Sequence, residues 1–247
     1  MINKAPHSLC LFQLRLHRHW FLGAALMGVL LIVAACGDKA PQKITPSSGY
    51  FTFLDLGKDT VYSNAVRDFL SAELGTDSIS TRTVVDLDVN YPAFLKQHFD
   101  RLHQLNLQLN DAKGARVEHD TVKLMYRYIR KKERPFKYVE LMFSGIDGRP
   151  LYFKIRAGKE GGDILDTMRA KHGPAQTFAW RENTGTTHFW EKDDEMLLIS
   201  QVLDRFGEPE YRIMMYFVGN IERLIETEKA RIQQREDERR KSGQRAF

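Results

Sequence analysis

Cysteine is nearly absent from this chain of 247 residues. There are two, Cys10 and Cys36, both within the first 36 positions. The chain beyond them has no disulfide, no thiol nucleophile and no thiolate metal ligand, so it holds together by core packing. Long apolar runs are also lacking. The only one is Phe21 to Ala35 (FLGAALMGVLLIVAA), fifteen residues where a spanning helix needs about 20. Nor is there an excess of charge of one sign. Residues 1–35 carry Lys4, Arg15 and Arg18 and no acid, which leaves 34 basic and 32 acidic residues in the rest, a formal net of +2. That balance gives no reason to expect a nucleic-acid partner, and no RNA- or DNA-binding signature is present. What is there is ordinary for a folded protein: 43% hydrophobic and 28% charged residues, a composition that excludes wholesale disorder.

The first 37 residues have a readable organisation. A basic stretch ending Arg15-Leu16-His17-Arg18-His19-Trp20 precedes the apolar run, and the run ends Val33-Ala34-Ala35-Cys36-Gly37. Basic flank, short apolar core and small residues before a cleavage point are the parts of a signal peptide. The last five residues resemble the lipobox of bacterial lipoproteins. That resemblance implies cleavage before Cys36, a diacylglycerol thioether on Cys36 and acylation of the new amino group. Because each buried methylene contributes about 0.8 kcal/mol, two or three chains anchor stably where one is marginal. The residue after Cys36 is Gly37 and not aspartate; by resemblance to enteric-type sorting this implies the outer membrane, facing the periplasm. Residues 36–49 form the lipidated cysteine and a polar tether, of which 37–49 reach roughly 40 Å at about 3.3 Å per residue.

From residue 50 the hydrophobic period defines the elements. Tyr50–Leu56 reads as a strand or packed entry segment, and 60–74 as a helix capped by Asp59 or Thr60 and ended by Gly75. Residues 79–89 are extended. Asn90-Tyr91-Pro92 opens a helix carrying Leu95, Phe99, Leu102 and Leu109 on one stripe. From about 120 the period is two, through Val122, Leu124 and Tyr126, then 138–144 and 151–156, with Asp147-Gly148 as a hairpin turn. Asp163 caps a helix over 164–171 that stops at Gly173-Pro174. Strands are expected at 176–182, 186–192, 196–204 and 210–218. Residues 220–241 are helical, and the stretch beyond Gln233 is nearly all charge, a solvated helix or a polar tail. The predicted fold is α+β, a largely antiparallel meander sheet packed by helices. Its domains are a signal peptide (1–35), tether (36–49), globular domain (50–219) and charged C-terminal helix or tail (220–247). Gly173-Pro174 and Gly207-Glu208-Pro209 look alike but are too short to establish a repeat.

Catalytic motifs are absent. The histidines at 98, 103, 119, 172 and 188 have no metal-ligand spacing, and neither a metal nor another cofactor is indicated. Gly158–Asp163 is glycine-rich before a helix, but Asp163 opposes an anion there. Asp86 and Asp88 share one side of an extended segment, as paired carboxylates must, but a solvated strand face or turn flank explains them as well and is the reading preferred. Strand alternation assigns Val122, Leu124, Leu141, Phe143, Leu151, Phe153, Ile155, Phe189, Ile213 and Phe217 to a core face. The opposite face takes Arg127, Tyr138, Tyr152, Lys154, Arg156, His188, Trp190, Lys192, Arg212 and Tyr216. Aromatic and basic residues together suit a partner protein, a glycan or a lipid headgroup. The expectation is a membrane-anchored, non-enzymatic module that binds another envelope protein. The alternative is a periplasmic binding module for a glycan, lipid or small ligand on the aromatic–basic face. Concavity separates the two: a deep cleft favours a ligand, a flat face a protein.

Overall fold

The structure is a computed structural model that describes residues 50–110, 116–127, 129, 134–180 and 184–245. The signal peptide, Cys36 and the tether lie outside the described residues. The elements run α1 (Asn64–Leu74), β1 (Ser78–Val84), α2 (Phe94–His98), α3 (Asp100–Leu109), β2 (Glu118–Tyr126), β3 (Phe136–Ser144) and β4 (Pro150–Ala157). They continue with α4 (Gly161–His172), β5 (Gln176–Trp180), β6 (Gly185–Lys192), β7 (Glu195–Leu203), β8 (Pro209–Phe217) and α5 (Val218–Arg245).

All eight strands form one antiparallel sheet in the order β1-β2-β3-β4-β8-β7-β6-β5. This is the predicted α+β meander. The order has a symmetry that the sequence hides. Each half is a helix followed by a four-stranded meander, α1 with β1–β4 and α4 with β5–β8, and the halves join through their last strands, β4 and β8. Val66, Leu70 and Leu74 of α1 and Leu165 of α4 pack into the same cluster on one face. The two Gly-Pro stretches do not mark this repeat: Gly173 ends a helix, whereas Gly207 lies in the β7–β8 turn.

Both faces of the sheet are covered. The first face packs under α1, α4 and residues 51–56. The second packs under two elements without counterparts in the other half: residues 85–109, inserted between β1 and β2, and the base of α5. Two-sided cover explains why the central strand β7 (EMLLISQVL) is buried almost throughout, whereas the edge strand β1 (SISTRTV) is largely exposed. It also corrects the expectation of one core face. Leu151 and Phe189, expected with the first face, belong to the second cluster.

Local chemistry adjusts several boundaries. Residues 50–56 do not join the sheet; their only β contact is an isolated Phe53–Leu56 bridge. Helix α1 starts at Asn64, later than predicted, because Ser63 caps it through Val66 N–H while Thr60 accepts from Gly57 N–H in the preceding turn. The 90–109 helix is two helices broken at Phe99, whose ring turns edge-on to Phe189. Pro92 precedes the first of them. Helix α4 starts at Gly161, so Asp163 lies in its first turn and is not its cap. The charged C-terminal stretch is helical to Arg245 and follows β8 without a loop.

Candidate functional site

The register of the central strands lays out the candidate face in rows. Tyr138, Arg156, Arg212 and Ser200 are cross-strand neighbours on β3, β4, β8 and β7. Glu140, Lys154 and Met214 form the next row, and Tyr152 and Tyr216 the one after. Seven of the nine proposed residues, Arg127, Tyr138, Tyr152, Lys154, Arg156, Arg212 and Tyr216, therefore belong to the second face. His188 and Trp190 do not. Their partners on β7 are Ile199 and Leu197, which lie in the first cluster. His188 bonds Thr177, and the Trp190 indole donates to Gly173 O at 3.0 Å beside α4. Lys192 shares their side of β6. In the segment TTHFWEK both sides of the strand carry large aromatics, so alternation alone does not say which side faces which layer.

The tyrosines are structural. Tyr216 is fully buried and donates to Leu87 O at 2.7 Å, fastening the insertion to the sheet. Tyr152 donates to Glu140 at 2.8 Å, and Tyr138 donates to the other Glu140 oxygen. Burial pushes all three phenols well above the ordinary range, and the Glu140 charge adds to the effect at Tyr138 and Tyr152. The phenols are held neutral, as hydrogen-bond donors. Arg127 lies exposed just past the end of β2.

What remains open on this face is a cleft of about 390 Å³ between the insertion and the β4–β8 pair. Its sheet wall carries Lys154, Arg156 and Arg212; the opposite wall is 86–92, with Asp86, Asp88 and Asn90; Arg116 closes one side. Arg212 pairs with Glu210 at 2.9 Å, and Arg156 lies 5.7 Å from the centre of the Tyr138 ring. Among the described residues, no carboxylate lies within 4 Å of Lys154, Arg156 or Arg116, and no cation within 4 Å of Asp86 or Asp88. The carboxyl of Asp88 is raised above the usual carboxylate range, mainly by burial and then by Asp86, against a smaller opposing effect of His103.

The insertion wall is held rigidly. Val85, Leu87 and Val89 are buried, so the alternate residues Asp86 and Asp88 turn the other way. Leu87 N–H donates to Asn106 at 2.9 Å. Asn90 sits in the left-handed region with φ +67°, which asparagine tolerates better than most residues. Its amide donates to Ser200 at 2.9 Å; Ser200 in turn meets Thr187, and Thr187 accepts from the Trp180 indole. Arg212 reaches Asn90 O at 3.4 Å. The sequence reading placed Asn90 at a helix start and missed Arg116. The one available signal was the Asp86-x-Asp88 alternation.

The arrangement can hold charged groups. Among the described residues no cluster of three His, Cys, Asp or Glu side chains is placed to hold a metal ion, and no helix is long and apolar enough to cross a membrane. Comparison with protein-family models, curated protein sequences and solved structures returns no match.

Proposed function

We propose that the chain is a lipid-anchored protein of the bacterial cell envelope, attached through Cys36 to the outer membrane, and that its globular part is a non-enzymatic binding module seated on the charged cleft. The anchor rests on Val33-Ala34-Ala35-Cys36 and the basic, short apolar segment before it. One observation carries the binding role: among the described residues, Lys154 and Arg156 stand in an open cleft with no carboxylate within 4 Å. A concave, charged seat at the lower end of the ligand-pocket range favours a small anion-bearing ligand over a flat protein contact.

The test has two readouts. Labelled palmitate is incorporated into the wild-type chain in cells and not into Cys36→Ala; incorporation into both removes the anchor. Isothermal titration of the full chain, in a non-ionic detergent, with monoethyl phosphate and with propionate gives saturable binding of at least one. Lys154→Gln with Arg156→Gln weakens it at least tenfold, and unchanged affinity in that variant removes the cleft as the seat.

A protein partner is the second reading. It is favoured by Leu203 and Phe206 at the β7–β8 turn, 59% and 74% exposed. A photo-crosslinker at position 206 that captures one stoichiometric envelope protein supports it; a crosslinker at 154 capturing the same protein moves the contact to the cleft.

A further inference from the structure

The cleft carries charge of both signs on opposite walls, and among the described residues only Arg212 of this set has an ion-pair partner, Glu210 at 2.9 Å. On the sheet wall, Lys154, Arg156 and Arg212 project from β4 and β8, whose backbones are locked in register. On the insertion wall, Asp86 and Asp88 project from a segment tied down by Tyr216, Asn106 and Asn90. No ion pair within 4 Å joins the walls among the described residues. Flexible surface charges of opposite sign usually find one another when the backbone lets them. Here Arg212 reaches the opposite wall at the Asn90 carbonyl, 3.4 Å away, and the cleft holds about 390 Å³ of open space between the walls.

Resting on the binding role proposed above, we infer that the cleft selects a small zwitterion, its anion on Lys154 and Arg156 and its ammonium on Asp86 and Asp88. Each wall then faces the end of the ligand of opposite charge, and a ligand with one charged end leaves the other wall unmatched. Charge-assisted hydrogen bonds at both ends fix orientation as well as affinity. The partial desolvation of Asp88, which makes its carboxylate costly when alone, is offset by an ammonium and by nothing in a simple anion. The chemistry required is a primary amine a few ångströms from a phosphate monoester or carboxylate. A phosphoethanolamine-type headgroup and a free amino acid both supply it.

The experiment is isothermal titration of the full chain in a non-ionic detergent with two matched pairs: O-phosphoethanolamine against monoethyl phosphate, and L-alanine against propionate. In at least one pair the zwitterion is expected to bind at least tenfold tighter than its amine-free analogue. Preference within the phosphate pair assigns a headgroup-type ligand; preference within the carboxylate pair assigns an amino acid. Asp86→Asn with Asp88→Asn should abolish the tenfold preference and leave amine-free binding within about twofold. None of these side chains is in the core, and circular dichroism of the variant confirms that it folds. Equal affinities within both pairs overturn the zwitterion while leaving an anion-binding module intact. No binding of any of the four overturns both.

Discussion

His119, near the start of β2, and Glu228, in the C-terminal helix, meet at 2.7 Å across 109 residues of sequence. The other ring nitrogen of His119 lies 2.7 Å from Leu109 O, at the end of α3. One buried side chain thus joins the sheet, the insertion and the C-terminal helix. Beyond Glu228, none of the residues of α5 whose burial is described is buried.

His119→Ala is therefore expected to cost about 2 kcal/mol, the scale of a lost hydrogen bond to a charged group. In a domain of this size that lowers Tm by about 4–8 °C. Hydrogen exchange distinguishes the cause: amides of α5 around Leu224 to Glu228 should lose protection more than those of β7. A uniform loss across the sheet would show that His119 serves the core and not the helix.

Much of the fold was legible because it is written locally. Asp147-Gly148 marks a hairpin, with Gly148 at φ +72°, and Gly173-Pro174 ends α4. The period of two from 120 to 157 gives β2 to β4 nearly to the residue. What escaped was decided at long range. The frame of β6 depends on which helix layer each aromatic meets, so His188 and Trp190 were put on the wrong face. The break falls at Phe99, whose ring meets Phe178 on β5 and Phe189 on β6, far along the chain. The cleft needed residues 86–92 folded over strands whose sequence positions are more than 60 residues later. Its acidic wall was visible as Asp86-x-Asp88, but a pair of exposed-looking acids carries no sign of what will face it. Continuous burial in β7 is the structural sign that both faces are covered.

The raised carboxyl of Asp88 makes it a stability cost when ionised. A folded-state pKa above the unfolded one means that the folded protein holds the proton more tightly. The favourable contribution is full below the unfolded pKa and lost as pH rises through the folded one. Asp88→Asn should therefore be more stable than wild type at neutral pH. Asp88 is partly solvated, so screening limits the gain to a Tm rise of about 2 °C or less. The gap should close as pH is lowered through the carboxyl range. Thermal melts at pH 3.5, 5 and 7 check this; a variant less stable than wild type at pH 7 would mean that the carboxylate has a partner in the folded state.

Glu195 fixes where the chain enters the domain. It is 2% exposed and accepts from the backbone N–H groups of Tyr50 and Phe51 at 2.9 and 3.0 Å, with the Lys58 ammonium at 3.7 Å. Glutamine keeps the shape and turns one acceptor into a donor, so one of the two amides faces an NH2 group. Glu195→Gln should cost about 1–3 kcal/mol and lower Tm by about 2–12 °C. Exchange should accelerate first at Tyr50, Phe51 and Phe53. Unchanged protection at these amides would show that ring packing of Tyr50 and Phe51 with His172 holds the segment without the carboxylate.

Asn90 combines a strained backbone with a buried bond, and two substitutions separate them. Asn90→Gly keeps the left-handed conformation easily and loses the 2.9 Å bond to Ser200, a cost of about 1 kcal/mol. Asn90→Ala loses the same bond and also puts a β-carbon without a compensating amide into the left-handed region, adding about 1 kcal/mol. Denaturant melts should therefore rank wild type above Gly and Gly above Ala. The order matters for the cleft, because Asn90 O receives Arg212 and its amide ties the 86–92 wall to Ser200. If the two variants are equally unstable, the left-handed turn at 90 is imposed by Val89 and Tyr91 packing, and the insertion wall would keep its place without asparagine.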